Sequence, residues 1–315
     1  SVMALNGEQL ENLGVQSAGD LAELIPNVDF KKQWGSKGNA SLFYVRGIGQ
    51  ADFNEGSESP TTVYVDDFYI LSSSAVDFQT DDIATAEVLR GPQGTLFGRN
   101  SSTGLVHIIT REPGDTPVVK ASLGYGNYQT IRGQVYASTP LTDNLAADVA
   151  ITGSDQGKGW GKNLLTGEDA MYGHFIGARS KIVWKPGAAT KVVATGDFRK
   201  SMDNVGNAFP LYKGSANLLG KSDYYGDYNV NKNLTKGGNI KNWGASLLVE
   251  HDFGGATLTS VSAYRDMRSN SAVDSDSGPT ALVDVDIQSS SRTFQQELRL
   301  ASDDSGPLKW QAGLF

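Results

Sequence analysis

From about residue 118 onward, apolar and polar residues alternate with a period of two, which is typical of strands covered on one face only. In one segment Ile131 and Val135 share an apolar face, while Arg132 and Gln134 take the polar face. The polar faces carry too much charge for the core of a β-sandwich, whereas the apolar faces suit lipid. The pattern predicts about nine antiparallel transmembrane strands, and similar alternation recurs at 145–152, 243–250 and 294–300.

The connections between these strands alternate between short and long. Tight turns are expected at 140–144, 185–190, 253–256 and 303–307, and long polar loops at 155–171, 201–242 and 269–287. Outer-membrane barrels have short periplasmic turns and longer extracellular loops. The alternation therefore predicts that the three long loops lie on the extracellular side.

The first part of the chain has a different pattern. Apolar residues recur at helical spacing over 8–13 and 18–25, and Pro26 ends the second segment. Strands are expected at 42–46, 62–66, 86–90 and 105–111. We therefore expect two domains, a small mixed α/β unit at 1–113 and a strand-rich unit at 118–315.

The composition excludes several classes of protein. The 315 residues include no Cys, which excludes a disulfide framework and a thiolate metal site. The formal net charge is −8 and is spread along the chain, so no nucleic-acid partner is expected, because such a partner needs a basic stripe. No run of 18 apolar residues occurs, which excludes a membrane-spanning helix but not barrel strands, whose hydropathy signal is weaker.

No catalytic constellation is visible in the sequence. The 3 His residues lack metal-ligand spacing, and no G-x-S-x-G nucleophile elbow occurs. The Gly-rich segment 91–104 is not a phosphate-binding loop, because Arg99 follows Gly98 where a P-loop has Lys. The DSDSG sequence at 274–278 begins like a calcium loop, but Val285 stands where an EF-hand has its bidentate Glu. We therefore expect no enzyme activity, no cofactor and no metal site.

Three motifs occur in order near the amino terminus: FYVRGIG at 43–49, VYVDDFYI at 63–70 and EVLRGPQGTLFGRNSSTGLVHIITREP at 87–113. Together they resemble the plug domain of TonB-dependent outer-membrane receptors, and the strands after them resemble the first part of the transporter barrel. The resemblance implies a β-class protein with a small α/β plug. Its fold would be an antiparallel transmembrane β-barrel, incomplete here, with an amino-terminal globular plug inside the lumen. A barrel around such a plug needs roughly 22 strands, so we expect this chain to be an amino-terminal part of a longer protein.

The resemblance also implies a latch between plug and barrel. In the family, arginines at the positions of Arg46 and Arg90 pair with glutamates of the barrel wall. Glu297, within QQELRLAS, matches one of those wall positions, and Glu87 could join the network. A guanidinium–carboxylate pair is bidentate and fixes orientation. The alternative is that these are ordinary solvated surface charges.

Ligand contacts are expected on the apical plug loops and on one long barrel loop. The plug loops at 49–60 and 71–79 are polar with single aromatic residues, and the loop at 201–242 is rich in Tyr, which suits flat or amphipathic ligands. Loop solvation, or packing of a loop on itself, is the alternative. The candidate contacts are Gln50, Asp52, Phe53, Ser73 and Phe78 in the plug loops, and Tyr212, Tyr224 and Tyr225 in the barrel loop.

The family resemblance implies a TonB-dependent active transport receptor in the outer membrane of a Gram-negative bacterium. The expected ligand is a ferric siderophore; the alternatives are an oligosaccharide, cobalamin, heme or another scarce nutrient, or a ligand-sensing signalling role. The expected partners are outer-membrane lipid and TonB, which acts with the inner-membrane ExbB–ExbD complex. The family's TonB box lies before the plug and is missing from this sequence, so coupling is expected to need a segment upstream of Ser1.

Overall fold

A small α/β unit lies against the inner face of a long antiparallel sheet. The computed structural model describes the chain except for residues 1, 16, 34–39, 51–57, 77–81, 95–99, 204–210, 222–223, 235–236 and 304–307. The α/β unit contains helices α1 (Gly7–Asn12) and α2 (Ala18–Glu23) and strands β1 (Val2–Asn6), β2 (Val28–Gln33), β3 (Ala40–Val45), β4 (Thr61–Val65), β5 (Phe68–Tyr69), β6 (Ile83–Arg90) and β7 (Gly104–Thr110).

The long sheet, called the strand wall here, has nine described strands that follow one another in chain order. They are β8 (Val118–Gly126), β9 (Thr130–Thr142), β10 (Leu145–Gln156), β13 (Gly173–Gly187), β14 (Thr190–Asp203), β15 (Gly238–Asp252), β16 (Ala256–Asp274), β17 (Asp284–Ser302) and β18 (Gln311–Leu314). A separate small hairpin between β10 and β13 consists of β11 (Gly161–Lys162) and β12 (Asp169–Ala170).

Both predicted helices are confirmed, and their first turns are capped by side chains. Asn6 Oδ1 accepts a hydrogen bond from Gln9 N at 2.9 Å, and Gln9 Oε1 accepts one from Asn6 N at 2.9 Å. This reciprocal capping box satisfies two backbone donors at the start of α1. Ser17 Oγ caps α2 by accepting from Asp20 N at 3.3 Å. Among the described residues, no helix is long and apolar enough to cross a membrane.

The α/β unit is built on a five-stranded sheet with the order β1-β6-β7-β4-β5, and β2 pairs separately with β3. The pair β4–β7 is parallel and the other pairs are antiparallel. All four predicted strands of this unit are present, but sequence periodicity did not reveal β1, β2 and β5. These three are short or polar segments, and hydrogen bonding to a neighbouring strand is what makes them extended.

One hydrophobic core joins the α/β unit to the strand wall. Phe43 of the unit is buried in a cluster that also contains Ile240, Ala263 and Met267 from the wall. Met267 is only 1% exposed, so water is excluded at this part of the interface. The α/β unit is therefore packed against the wall by apolar contact as well as by charge.

The two faces of the wall differ as the alternation predicted. The outward residues Ile131 and Phe294 are 51% and 69% exposed, whereas the inward residues Tyr136 and Gln295 are 6% and 8% exposed. Tyr136 donates to the buried carboxylate of Asp148 at 3.3 Å, so polar side chains on the inner face bond to one another. The outer face is the apolar one, which suits lipid.

The strands extend further into the predicted loops than the sequence suggested. The predicted bounds of the loop at 269–287 are wrong at both ends, because β16 continues to Asp274 and β17 begins at Asp284. Their ladder stays paired residue by residue up to Asp274 opposite Asp284. Polar residues on both faces hid these strand ends, since a strand outside lipid needs no apolar face. Likewise β14 and β15 enter the predicted loop 201–242, β11 and β12 lie inside 155–171, and the last strand is Gln311–Leu314.

Candidate functional site on the inner face of the strand wall

Asp82 of the α/β unit and Arg179 on β13 form an ion pair across the interface with the wall. Arg179 Nη2 donates to Asp82 Oδ2, and the two side chains are 12% and 9% exposed. The Asp82 backbone oxygen also accepts from Arg111 N at 2.7 Å. Because breaking a buried ion pair leaves an uncompensated charge, this contact ties the start of β6 to the wall.

A second buried cation follows on the same face of β13, since side chains two residues apart share a face. Lys181 is 3% exposed, and its Nζ donates to Asp66 Oδ1 and to Thr110 O, each at 3.1 Å. Asp66 Oδ1 also accepts from Thr110 N at 2.8 Å. These bonds hold Asp66 in a left-handed conformation with φ 54°, at the turn between β4 and β5. A turn of the α/β unit is thereby fixed to the wall.

Weaker ion pairs surround these two buried contacts. Glu11 accepts from Arg111 at 2.7 Å and from Lys120 on β8 at 2.8 Å. Lys191 on β14 lies 2.9 Å from Glu112. These side chains are a quarter to a half exposed, so each pair contributes little to stability.

A cavity of about 550 Å³ separates part of the α/β unit from the wall. Arg265 on β16 points into it and is held by Asp197, which accepts from its two terminal nitrogens at 2.6 and 2.9 Å. The cavity is therefore bordered by charges of fixed position. Its lining includes Ile70, Ala75, Asp82 and Thr110 from the unit, and Gln134, Arg179, Arg199 and Arg265 from the wall.

Two guanidinium groups flank one aromatic ring on the inner face of the wall. Arg199 lies 4.7 Å and Arg132 5.7 Å from the ring centroid of Phe175. All three residues lie toward the end of the wall where β10, β13 and β14 run into the long loops. We call Arg132, Phe175 and Arg199 the basic–aromatic patch; its charge and ring faces suit an anionic aromatic molecule.

The small hairpin is joined to a distant loop by backbone hydrogen bonds. Val230 N donates to Lys162 O at 3.0 Å, and Leu164 N donates to Val230 O at 2.8 Å. Gly161 permits this approach, because a Cβ there would lie 2.0 Å from the backbone oxygen of Tyr228. The joined loops present the aromatic pair Trp160 and Tyr228, whose ring centroids are 6.0 Å apart and which are 43% and 50% exposed.

The comparisons with known proteins identify the architecture. Residues 1–105 match the family model described as the TonB-dependent Receptor Plug Domain. Residues 1–105 therefore carry a TonB-dependent receptor plug domain. The α/β unit has the fold of the plug of TonB-dependent receptors, and the strand wall has the fold of part of their barrel.

Individual relatives agree with this assignment. The pesticin receptor of Yersinia pestis is 30% identical over 148 residues, which are 46% of this chain and 21% of that protein. The catecholate siderophore receptor Fiu of Escherichia coli K12 is 27% identical over 180 residues, which are 56% of this chain and 22% of that protein. The crystal structure of the ferric yersiniabactin uptake receptor FyuA from Yersinia pestis matches with a TM-score of 0.81 and 20% identity, covering 99% of this chain and 47% of that one. The chain thus spans less than half the length of these receptors.

The predicted ligand contacts of the plug fall in two groups. Asp52, Phe53 and Phe78 lie outside the described residues. Gln50 and Ser73 are 6% and 7% exposed and line the same void of only about 10 Å³ inside the plug. In this arrangement neither side chain is open to a ligand, so contact with a ligand requires the plug loops to move. Their role stays a prediction.

The predicted contacts in the barrel loop are more accessible. Tyr212 is 74% exposed. Tyr224 is 45% exposed and donates to Asp227 at 2.6 Å, a bond that raises the pKa of the Tyr224 hydroxyl. Tyr225 is half-buried and accepts from Asn231 Nδ2 at 3.2 Å. Sequence reasoning missed Trp160, which stands in a different predicted loop and meets this one only in three dimensions.

The predicted latch residues make contacts other than the expected pairs. Glu297 lies 3.5 Å from Arg299 of its own strand, and Glu87 lies 3.5 Å from His107. Arg90 donates to Pro26 O at 2.8 Å, next to Asn27, whose backbone oxygen accepts from Arg46 N at 2.7 Å. The structure thus brings Arg46 and Arg90 together around the turn after α2, and the Arg46 side chain is exposed.

Glu297 nevertheless faces the plug. Burial, with a further contribution from the Glu297 carboxylate, raises the pKa of the Tyr64 hydroxyl on β4 to about 12. One neighbour on the same strand, Gln295, accepts from Tyr69 N at 3.3 Å. The Glu297 side of β17 therefore borders the plug sheet, and a latch to Arg90 stays a prediction.

Proposed function

We propose that the protein is a TonB-dependent active transport receptor that takes up a ferric siderophore across the outer membrane of a Gram-negative bacterium. Residues 1–113 act as the plug and residues 118–315 as the first part of the barrel. Ligand binds on the extracellular side between plug and barrel loops. TonB, energised through the inner-membrane ExbB–ExbD complex, then displaces or partly unfolds the plug so that the ligand reaches the periplasm. The protein itself catalyses no reaction.

The plug–wall interface is the observation that carries the proposal. It combines the ion pairs of Asp82 with Arg179 and of Asp66 with Lys181 with a small shared apolar core. Polar interfaces within a chain permit relative motion more readily than large hydrophobic ones. Such an interface holds the plug in the lumen while leaving it displaceable by an applied force.

The siderophore assignment rests on the chemistry of the inner wall. The basic–aromatic patch offers two cationic groups and one ring, and catecholate or phenolate complexes of iron are anionic and aromatic. Trp160 and Tyr228 add exposed rings at the loop end of the wall. The relative Fiu is named a catecholate siderophore receptor, which supports the same class.

The first experiment measures the abundance of the full-length receptor in outer membranes from iron-starved and iron-replete cells, followed by binding of ferric catecholates to the purified receptor. We expect a strong rise under starvation and binding in the micromolar range or tighter. An unchanged abundance together with no ferric-chelate binding would reject the siderophore assignment. Oligosaccharides and cobalamin would then be tested with the same purified receptor.

A further inference from the structure

Three carboxylates converge at the loop that joins β16 to β17. One oxygen from each of Asp274, Asp276 and Asp284 lies within 4.8 Å of the other two. A calcium ion binds oxygens at 2.3–2.6 Å, so it can touch two oxygens that are up to about 5 Å apart. The spacing therefore fits a single cation between the three carboxylates.

Two oxygens at this cluster are buried and, among the described residues, lack a hydrogen-bond partner: Asp274 Oδ2 and Asn233 Oδ1. Asp274 is 0% exposed; its Oδ1 accepts from Ser277 N at 2.9 Å, and the Asn233 backbone also hydrogen-bonds to this carboxylate. Asn233 is fixed beside the cluster, because its Nδ2 donates to Asp284 Oδ2 at 2.9 Å. A buried carboxylate oxygen without a hydrogen-bond partner is strongly unfavourable, so Asp274 Oδ2 points to a ligand at this cluster.

The surrounding contacts hold the loop in place but do not neutralise the charge of its three carboxylates. Asp276 Oδ2 accepts from the backbone N–H groups of Leu282 and Val283 at 3.1 and 2.9 Å, which closes the loop around the carboxylate. Lys232 is 4% exposed and is attracted to Asp274, but within the described part of the chain it forms no ion pair with the three carboxylates. One ammonium against three carboxylates leaves the site negatively charged.

We propose that Asp274, Asp276 and Asp284, together with the Asn233 side-chain oxygen, bind a calcium ion. All four ligands are oxygens, and they sit on strand ends and loops, which suits the flexible coordination of calcium better than the strict octahedron of magnesium. The EF-hand spacing fails in the sequence because the ligands come from two strand ends, from the connection between them and from a separate loop. This site is independent of the transported ligand proposed above.

The calcium ion joins two loops that carry the aromatic candidates. Asn233 belongs to the segment between β14 and β15, which also contains Tyr212 and Tyr225, whereas the three carboxylates lie at the facing ends of β16 and β17 and in the connection between them. The same loops already touch where Leu218 N donates to Asp276 O at 3.3 Å. Filling the site fixes the Tyr-bearing loop against its neighbour and thereby orders this part of the extracellular surface.

The test uses the full-length, detergent-purified receptor, from which bound metal is first removed with a chelator. Isothermal titration calorimetry then measures its binding of calcium chloride alone. A dissociation constant of roughly 10⁻⁴–10⁻³ M is expected, the range of extracellular calcium modules. Asp284→Asn and Asp276→Asn should each weaken binding at least tenfold. Lys232→Met should strengthen it several-fold, because it removes a neighbouring positive charge.

Asp284 is exposed, so Asp284→Asn should fold, whereas a substitution of the fully buried Asp274 would not separate loss of binding from loss of folding. Asp227→Asn is the matched control, since Asp227 is an exposed acid of the same loop that bonds to Tyr224 instead. Protease cleavage within 204–237 should slow in calcium for the parent and for the control, but not for Asp284→Asn. Unchanged calcium affinity in both carboxylate variants, no calcium binding by the parent, or equal affinity for magnesium would overturn the proposal.

Discussion

The ion pair between Asp82 and Arg179 places the carboxylate on the plug and the guanidinium on the barrel wall. This polarity is the reverse of the latch that the sequence predicted, in which plug arginines meet wall glutamates. Lys181 repeats the reversed arrangement with Asp66 two positions along β13. The inner face of a single wall strand thus presents two buried cations to the plug.

Neutralising either member of the Asp82–Arg179 pair should loosen the plug. Asp82→Asn and Arg179→Met each leave one buried group without its partner, a loss of about 3–5 kcal/mol at most. The readout is the urea concentration at which the plug of the full-length receptor becomes sensitive to protease. The double variant should be less destabilised than the sum of the two singles, whereas full additivity would show that the two groups do not interact. Lys191→Met, which removes the more exposed pair with Glu112, should change the midpoint little.

A second double-mutant cycle tests the predicted latch separately from the Asp82–Arg179 and Asp66–Lys181 pairs. If Arg90 meets Glu297 in the full-length receptor, Arg90→Ala and Glu297→Gln should both raise leakage of large antibiotics, and the double variant should leak no more than either single. Arg90→Ala also removes the bond to Pro26 O, so an effect of that variant alone does not establish the latch. Unchanged permeability and protease resistance in Glu297→Gln would count against it.

Removing charge from the basic–aromatic patch should weaken binding of anionic ligands. Arg199→Ala should reduce the affinity for a ferric catecholate about tenfold, because it removes a cation and its contact with the face of Phe175. The measurement is fluorescence quenching or calorimetry on the purified receptor. Arg292→Ala is the control, because Arg292 lies opposite Asp266 and is 68% exposed on the outer face of the wall. Equal affinities in the parent and in Arg199→Ala would remove the patch from the site.

The close approach of the small hairpin to the neighbouring loop depends on Gly161. Gly161→Ala places a Cβ 2.0 Å from the Tyr228 backbone oxygen, so the hydrogen bonds between Val230, Lys162 and Leu164 should break. We expect faster protease cleavage near 224–232 and lower affinity for an aromatic ligand, with the barrel still folded. Gly187→Ala is the matched control, because a Cβ there meets no atom within 4 Å. If both variants resist protease equally, the joined loops have no role in positioning Trp160.

The sequence by itself determined the local features of this protein. Alternation around Ile131 and Arg132 assigned the two faces of the wall correctly, because each strand residue points to the side opposite its neighbour and lipid accepts only apolar groups. Helical spacing over 8–13 and 18–25 predicted α1 and α2, because the positions that share one helix face are set by local geometry. The Gly-rich motif after Arg90 was sufficient to indicate the plug family.

Only the tertiary structure decided which distant residues meet. Asp82 and Arg179 are 97 positions apart, and no periodicity relates them; their contact depends on where the plug sheet lies against β13. The same holds for Trp160 with Tyr228, and for Asn233 with Asp284. Polar residues at strand ends look like loop residues in the sequence, so the sequence did not predict that Asp284 meets Asp274 and Asp276, a contact that depends on the pairing of β16 with β17. Local sterics and solvent exposure depend on each residue and its near neighbours in the sequence. Contacts between the α/β unit and the strand wall depend on how whole sheets pack.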